Sequence, residues 1–248
     1  DGAVVVMQNG IPEAKVAAVV GKERVLGAPI GWAATWIEPG VSSLNSTKEG
    51  QSIDLGEFEG PITPRTMKIK EVLETMCTVH LTDNITGNRW TKLLANCCVS
   101  GLSAVSGGTF GDVMDNEKSL EILMYIAKEV IDAGRASGVI FEKFYGVYDL
   151  ANSFYWRNET EKEEAKKAVH AAFKSGRKGI ASMLQDLKKG QKTEIFAING
   201  HVVEVGKKVG LATPANQFVV DVVTSHQEGF TQPDFKWIDL FFTKYLKS

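Results

Sequence analysis

The sequence predicts an α/β domain followed by an all-α domain, and three observations support this fold class. The apolar run Ala3–Met7 is typical of a strand buried on both faces of a parallel sheet. Short strand-like runs separated by turn residues continue as far as residue 81. After residue 84 strand signals nearly vanish and amphipathic helices dominate. We therefore place the domains at residues 1–83 and 84–248.

The composition narrows the class of protein. The chain has 248 residues, of which 44% are apolar, so it can form one large domain or two ordinary ones. A net charge of −2 argues against a broad nucleic-acid-binding surface. The three cysteines lack the spacing of a zinc site, and no apolar run approaches the roughly 20 residues of a membrane helix. We expect a reduced, cytoplasmic protein with no metal, nucleic-acid partner or membrane span.

The first domain is predicted to begin with a strand that ends at Gln8-Asn9-Gly10. Open α/β sheets bind their ligands at the carboxyl ends of such strands. A short helix should run from Pro12 to about residue 20, and Thr63-Pro64 should begin a second helix. In that second helix we expect four side chains to face inward, those of Met67, Val72, Leu73 and Met76. Further strands are predicted at 24–29, 33–37, 41–45, 52–56 and 78–81, with a turn at 48–50 and an antiparallel extension formed by the middle strands.

A parallel strand needs a neighbour from a crossover unit, and nothing precedes the first strand that could supply one. The sequence is therefore expected to be cut in the middle of a domain, as in a truncated or proteolysed product.

The central helix of the second domain is predicted over Arg89–Ser100, which contains neither Pro nor Gly. Lys92, Asn96 and Ser100 recur at i, i+4 and i+8 and should share one stripe of this helix. A lysine backed by two neutral polar groups can donate a proton or hold an anion. Alternatively, the stripe is a solvated face on which the lysine extends to water.

Later helices follow from apolar periodicity and from capping residues. Ser119–Ser137 is predicted as a long amphipathic helix, and residues 159–172 as a solvated helix or linker. Gly190 should stop the helix that contains residues 181–187. Thr193 or a neighbouring residue should cap the next helix, which places Glu194 in its first turn. The last clear helix begins at Thr213-Pro214, and an aromatic tail follows.

Five short sequence motifs occur in an order and at a spacing that resemble those of the ketopantoate reductase (2-dehydropantoate 2-reductase) family. They are Gln8–Ile11, Trp90–Asn96, Ser182–Asp186, Thr193–Ile195 and Asn199-Gly200. The resemblance covers essentially the whole chain. It implies that residues 1–83 are the carboxyl-side part of a Rossmann NADP-binding domain. Residues 84–248 would be a helical substrate and dimerisation domain of the 6-phosphogluconate dehydrogenase C-terminal-like type.

The resemblance implies NADPH-dependent reduction of 2-dehydropantoate to pantoate, a step of pantothenate and coenzyme A biosynthesis. Lys92 matches the family's catalytic lysine, which protonates the carbonyl oxygen, and Glu194 matches the carboxylate that supports it. Asn96 and Ser182 match substrate-binding residues. Asn9 matches an asparagine that lies between the nicotinamide and the substrate. The implied partners are a 2-oxo acid and a second copy of the chain.

The sequence departs from the family pattern in two places. Ser100 stands where the family commonly has a second asparagine; we expect it to bind the substrate with a shorter reach, which leaves another 2-oxo acid as an alternative substrate. The G-x-G-x-x-G dinucleotide fingerprint does not occur in this sequence. The N-terminal part of the Rossmann domain is therefore expected to be missing, and the fragment alone to be inactive.

Two other functions remain open from the residues. One is an oxidoreductase with a different substrate, such as an opine or 3-hydroxy-acid dehydrogenase. The other is a helical association module without activity, whose apolar helices bury a dimer interface.

Overall fold

The fold is taken from a computed structural model that describes residues 2–44, 50–144 and 146–246. Its strands are β1 (Val4–Val6), β2 (Val25–Gly27), β3 (Ala34–Glu38), β4 (Val41–Leu44), β5 (Ser52–Glu57) and β6 (Thr78–Leu81). Four of them form a sheet in the order β1-β2-β5-β6, in which β1 is parallel to β2, β2 antiparallel to β5, and β5 parallel to β6. Strands β3 and β4 form a separate antiparallel hairpin.

The sheet confirms part of the prediction and corrects part of it. The parallel neighbour of β1 is β2, which follows it in the chain through α1, so the expectation that only a preceding strand could supply this neighbour was wrong. Val4 is 37% exposed, so burial on both faces was also wrong for the start of this strand. The reason is that β1 is the outer strand of the described sheet. Strands β3 and β4 form the expected antiparallel extension. Strand β5 was expected to belong to it as well but lies in the main sheet, between β2 and β6. Asn45 and most of the predicted turn at 48–50 lie outside the described residues.

The two helices of the first 83 residues are α1 (Glu13–Val20) and α2 (Pro64–Leu73). The inward face predicted for α2 was largely wrong, because the side chains of three of its four residues are exposed, namely Met67, Val72 and Met76. Leu73, the fourth residue, packs on the sheet as predicted, and Ile69 packs beside it. Thr66 sets this orientation, because it is fully buried and its hydroxyl donates to Glu57 Oε1 at 2.6 Å.

After residue 84 the described chain is helical. The helices are α3 (Ile85–Ala95), α4 (Gly101–Ser106), α5 (Phe110–Asp115), α6 (Glu117–Ala136), α7 (Leu150–Ser153), α8 (Glu159–Ala172), α9 (Ser182–Lys188), α10 (Asn199–Val209), α11 (Pro214–Gln227) and α12 (Ile238–Leu240). Helix α6 lies at the centre, where it contacts α3, α10 and α11, and its predicted apolar face is buried. No helix in the described ranges is long and apolar enough to cross a membrane.

The predicted continuous helix over 89–100 is interrupted by a π turn. Helix α3 ends at Ala95, residues Asn96–Ser100 form the wider turn, and Gly101 N–H donates to Asn96 O five residues earlier. Asn199 Nδ2 donates to Cys97 O within this turn at 3.4 Å. A Cβ at Gly101 would lie 2.9 Å from Asn199 Oδ1, so the glycine permits the close approach of α10.

A buried carboxylate connects this turn to the helices behind it. Glu129 on α6 accepts from the backbone N–H of Ala215 at 2.8 Å and of Asn216 at 2.9 Å, and it thereby caps α11. Asn216 Nδ2 also donates to Glu129 at 2.8 Å, and its Oδ1 accepts from Asn199 Nδ2 at 3.0 Å. Burial raises the pKa of Glu129 to about 7 despite these donors.

Glu129→Gln should remove part of the pH dependence of stability. The folded pKa of Glu129 lies above the ordinary 4.5, so its contribution is complete below about pH 4.5 and is lost as the pH rises through about 7. The loss corresponds to at most about 3 kcal/mol. Urea unfolding of wild type and variant between pH 4.5 and 8 measures it, with the exposed Glu164→Gln as control. The prediction would be contradicted if the free energy of unfolding changed with pH by the same amount in wild type and Glu129→Gln.

Candidate active site

The loop after β1 contacts the segment before α10. Asn9 Nδ2 donates to Glu194 Oε2 at 2.9 Å, although the two residues are 185 positions apart. Gly10 makes the contact close, because it has φ +78° and a Cβ there would lie 2.6 Å from Ala197 O. The carboxyl end of a parallel strand thus faces an acidic side chain of the helical part.

Glu194 does not lie in the first turn of a helix, as the sequence had predicted. It precedes a turn over residues 195–198, and α10 begins only at Asn199. Thr193 does not cap a helix; its hydroxyl accepts from Ile195 N–H at 3.3 Å, and its own N–H donates to Gln227 at 2.7 Å. The bond from Gln227 on α11 holds this segment outside the helix.

Lys92 extends from α3 toward the sheet. Its Nζ donates to Ile30 O at 2.6 Å, in the segment that follows β2. The pKa of Lys92 is lowered to about 8, chiefly by burial and secondly by the positive charge of Arg89. The negative charges of Glu194 and Asp54 act in the opposite direction. A small pocket surrounds the ammonium; its other lining residues are Pro29, Ile30, Gly31, Asp54, Asn88, Thr91, Lys143 and Phe144.

Two residues of this pocket were missed from the sequence. Burial raises the pKa of Asp54, although its hydrogen bond with Asn88 and the charge of Lys92 oppose this. Both positions carry a signal that could have identified them. Asn88 precedes Lys92 by one helical turn, and Asp54 alternates with the buried Ile53 and Leu55, which places it on the other side of β5.

The remaining predicted site residues are placed by their elements. Asn96 and Ser100 are the first and last residues of the π turn. The spacing of an α-helix does not apply between them, so the prediction that Ser100 shares one helix face with Lys92 and Asn96 was wrong for Ser100. Ser100 is buried and Asn96 half-buried. Ser182 begins α9 and is exposed. The preceding N–H, that of Ala181, donates to Ser103 Oγ at 3.3 Å and holds this end of α9 against α4, just beyond the π turn.

Comparison with known proteins identifies the family. Residues 84–227, more than half of the chain, match the family model described as ketopantoate reductase PanE/ApbA C terminal. The chain belongs to this family. The 2-dehydropantoate 2-reductase of Pyrococcus horikoshii is 28% identical over 219 residues, which are 86% of this chain and 63% of that protein. The chain thus spans less than two thirds of the length of this ketopantoate reductase.

Solved structures confirm the fold. A PanE/ApbA family ketopantoate reductase from Ralstonia eutropha JMP134 matches with a TM-score of 0.73 at 21% identity, covering 92% of this chain and 67% of the other. D-mandelate dehydrogenase in complex with NADH matches with a TM-score of 0.75 at 21% identity, covering 92% and 71%. The predicted fold class, a partial α/β domain followed by a helical domain of the ketopantoate reductase type, is therefore confirmed.

Lys92→Met should stabilise the folded chain at neutral pH. Its folded pKa of about 8 lies below the ordinary 10.5, so the cost of the buried ammonium is complete below about pH 8 and vanishes as the pH rises to about 10.5. We expect the free energy of unfolding to increase by up to about 3 kcal/mol at pH 7.

Urea unfolding at pH 7 and pH 10 tests this, with the exposed Lys174→Met as the matched control. A variant that is less stable than wild type at pH 7, or whose advantage persists unchanged at pH 10, would contradict the expected cost of burial.

Proposed function

We propose that the protein containing this chain reduces 2-dehydropantoate to pantoate with NADPH. One observation carries the proposal: Asn9, after β1, donates to Glu194 at 2.9 Å in a member of the ketopantoate reductase family. Lys92 donates to Ile30 O in a pocket whose lining includes neither Asn9 nor Glu194, and the charge of Glu194 acts on its pKa. The name of the relative from Pyrococcus horikoshii supports the choice of substrate. In this proposal residues 1–83 form the cofactor side of the site, and residues 84–248 form the substrate and dimerisation side.

Lys92 is the proposed proton donor. Attack on a ketone builds negative charge on its oxygen, and an ammonium directed at that oxygen stabilises the charge and then donates its proton. A lysine with its ordinary pKa of 10.5 is a reluctant acid at neutral pH. With a pKa of about 8, Lys92 remains mostly protonated at pH 7 and yet releases its proton more readily.

Glu194 and Asn9 are proposed to orient the reacting groups. The carboxylate of Glu194 favours the ammonium form of Lys92, and the amide of Asn9 holds one of its oxygens. The other carboxylate oxygen can accept from a hydroxyl of the substrate. We propose that Asn96, Ser100 and Ser182 bind the substrate as neutral hydrogen-bonding groups, which orient an acid without adding charge to the pocket.

The nicotinamide end of a dinucleotide fits the loop after β1. Asn9 and Gly10 follow a parallel strand at its carboxyl end, where open α/β sheets bind cofactors. A bound reduced nicotinamide would supply the hydride. Asn9 is the residue we propose to lie between the nicotinamide and the ketone.

Reduction of another 2-oxo acid is the second candidate function. Ser100 is shorter than the asparagine common in the family, so the pocket can accommodate a different acid. Turnover of 2-dehydropantoate, 2-oxoisovalerate and benzoylformate, each with NADPH and with NADH, distinguishes the substrates. NADH is included because the structurally similar D-mandelate dehydrogenase was solved in complex with NADH. Dimerisation without any turnover, measured by sedimentation, would instead support the association module.

Lys92→Ala in the full-length gene product should lower kcat by roughly 10²- to 10⁴-fold, the usual contribution of a general acid. Glu194→Gln should lower kcat less, because Lys92 keeps its ammonium. Steady-state kinetics with 2-dehydropantoate and NADPH measures both, with the exposed Lys174→Ala as control. Near-normal turnover by Lys92→Ala would refute the assignment.

The pH profile should show an alkaline limb set by Lys92. If its ammonium donates the proton, kcat/KM falls tenfold per pH step above the pKa of about 8 and is level just below it. A profile measured from pH 6.5 to 10 at saturating cofactor tests this. A level profile through pH 9 would remove Lys92 from the role of proton donor.

A further inference from the structure

Arg89 is a wholly buried cation that the proposed reaction does not use. It lies on α3, is 1% exposed, and directs its guanidinium into the sheet. Its Nε donates to Glu13 Oε1 on the first turn of α1. Its two terminal nitrogens donate to Gln8 O and to Val6 O, each at 2.6 Å. One side chain therefore holds the end of β1, the loop after it and the start of α1.

The position of Arg89 connects the two halves of the proposed site. Gln8, whose carbonyl it holds, is directly followed by Asn9, whose amide meets Glu194. On α3, Arg89 precedes Lys92 by three residues, which places the two cations on the same side of the helix. Arg89 therefore belongs to the helix that carries Lys92, and it is hydrogen-bonded to the loop that carries Asn9.

We propose that Arg89 is a positioning residue for the reduction, because it ties the loop that carries Asn9 to the helix that carries Lys92. The inference rests on the function proposed above. Reacting groups on separate elements must be held in register, since a displacement of about 1 Å can cost about 10²-fold in rate.

The surroundings of the ion pair favour this role over simple stabilisation. Well-packed apolar residues generally stabilise a core at least as well as a buried ion pair does. Here the pair also leaves a polar atom without a hydrogen-bond partner in the described part of the chain, namely Glu13 Oε2. The sheet accommodates the carboxylate closely, since a Cβ at Gly27 would lie 2.9 Å from Glu13 Oε1.

The charge of Arg89 provides a second effect on the same lysine. It adds to burial in lowering the pKa of Lys92. Loss of the positive charge should therefore raise the pKa of Lys92 toward the ordinary value, and loss of the compensating charge of Glu13 should lower it further. The pKa of Lys92 therefore reports the charge at Arg89, whereas kcat reports whether the loop that carries Asn9 and the helix that carries Lys92 are held in register.

The chain offers a matched control for a salt bridge between a strand and a helix. Arg65 on α2 pairs with Glu57 on β5, whose side chain is 3% exposed, through Nε at 3.1 and 3.2 Å from the two carboxylate oxygens. This pair joins α2 to the sheet, and its other hydrogen bonds are with Thr63, Thr66 and the backbone of Glu23, none of which belongs to the proposed site. The side chain of Arg65 is 37% exposed, so the pair controls for the loss of a salt bridge and not for the burial of the arginine. Variants at Arg65 report the consequences of disrupting an ion pair as such.

The experiment compares Arg89→Lys, Arg89→Met and Glu13→Gln with Arg65→Lys and Arg65→Met in the full-length gene product. Arg89→Lys keeps the positive charge but lacks the planar guanidinium that bonds Glu13, Gln8 and Val6 at once. We therefore expect kcat to fall by about 10²-fold while KM changes by less than about threefold. Arg89→Met should also shift the alkaline limb to higher pH, and Glu13→Gln should shift it to lower pH. The Arg65 variants should change the melting temperature only.

A second readout needs neither substrate nor cofactor. Trace acylation of the same preparations at graded pH, quantified by mass spectrometry on the peptide that contains Lys92, reports the pKa of this lysine directly. It should rise in Arg89→Met and fall in Glu13→Gln. If Arg89→Met does not fold, the kcat of Arg89→Lys decides, because this variant keeps both the charge and a long side chain at the same position.

The outcomes separate the two proposals. A wild-type protein that reduces 2-oxo acids, with Arg89→Lys at wild-type kcat, would overturn the positioning role of Arg89 alone. An unchanged labelling profile of Lys92 in Arg89→Met would overturn the effect of its charge on Lys92. A wild-type protein that reduces none of the 2-oxo acids would overturn the proposed function, whatever the labelling shows. An equal loss of kcat in the Arg65 and Arg89 variants would make the role of Arg89 merely structural.

Discussion

The buried guanidinium of Arg89 determines how the sheet and the helical part meet. It binds two carbonyl oxygens at the end of β1 and the carboxylate of Glu13, so α3 must lie across the carboxyl edge of the sheet. An arginine without these partners would be too costly to bury, and the carbonyls at the end of a strand need donors. Once α3 is placed in this way, Asn88 and Lys92 face Asp54 and the segment that follows β2.

The helical part fixes the other end of α3 with a second polar network. Glu129, Asn216 and Asn199 form a chain of hydrogen bonds that runs from the start of α11 to Cys97 O in the π turn. A π turn exposes backbone groups that an α-helix would satisfy internally, and Asn199 supplies one of the missing partners. The turn that carries Asn96 and Ser100 is therefore held by residues of α6, α10 and α11.

The same burial has opposite consequences for stability and for chemistry at Lys92. Taking an ammonium out of water destabilises the fold at neutral pH, but it brings the pKa of the lysine to about 8, where proton donation is easier. Perturbed pKa values of this kind cluster at functional sites. The pocket around Lys92 contains an aspartate whose pKa is raised for the same reason.

Local sequence determined much of this protein: the change from strands to helices near residue 84, the apolar face of α6, the parallel first strand and the sequence motifs that carry the family resemblance. These features depend on periodicity and on short-range capping. Only the tertiary structure decided the place of β5 between β2 and β6, the orientation of α2, the π turn, the turn that holds Glu194 outside a helix, and the buried contacts of Arg89. Each of these depends on a hydrogen bond or ion pair between residues distant in the chain or on adjacent elements, such as Thr66 with Glu57 or Asn9 with Glu194. Periodicity and capping carry no information about which distant partner a polar side chain will meet.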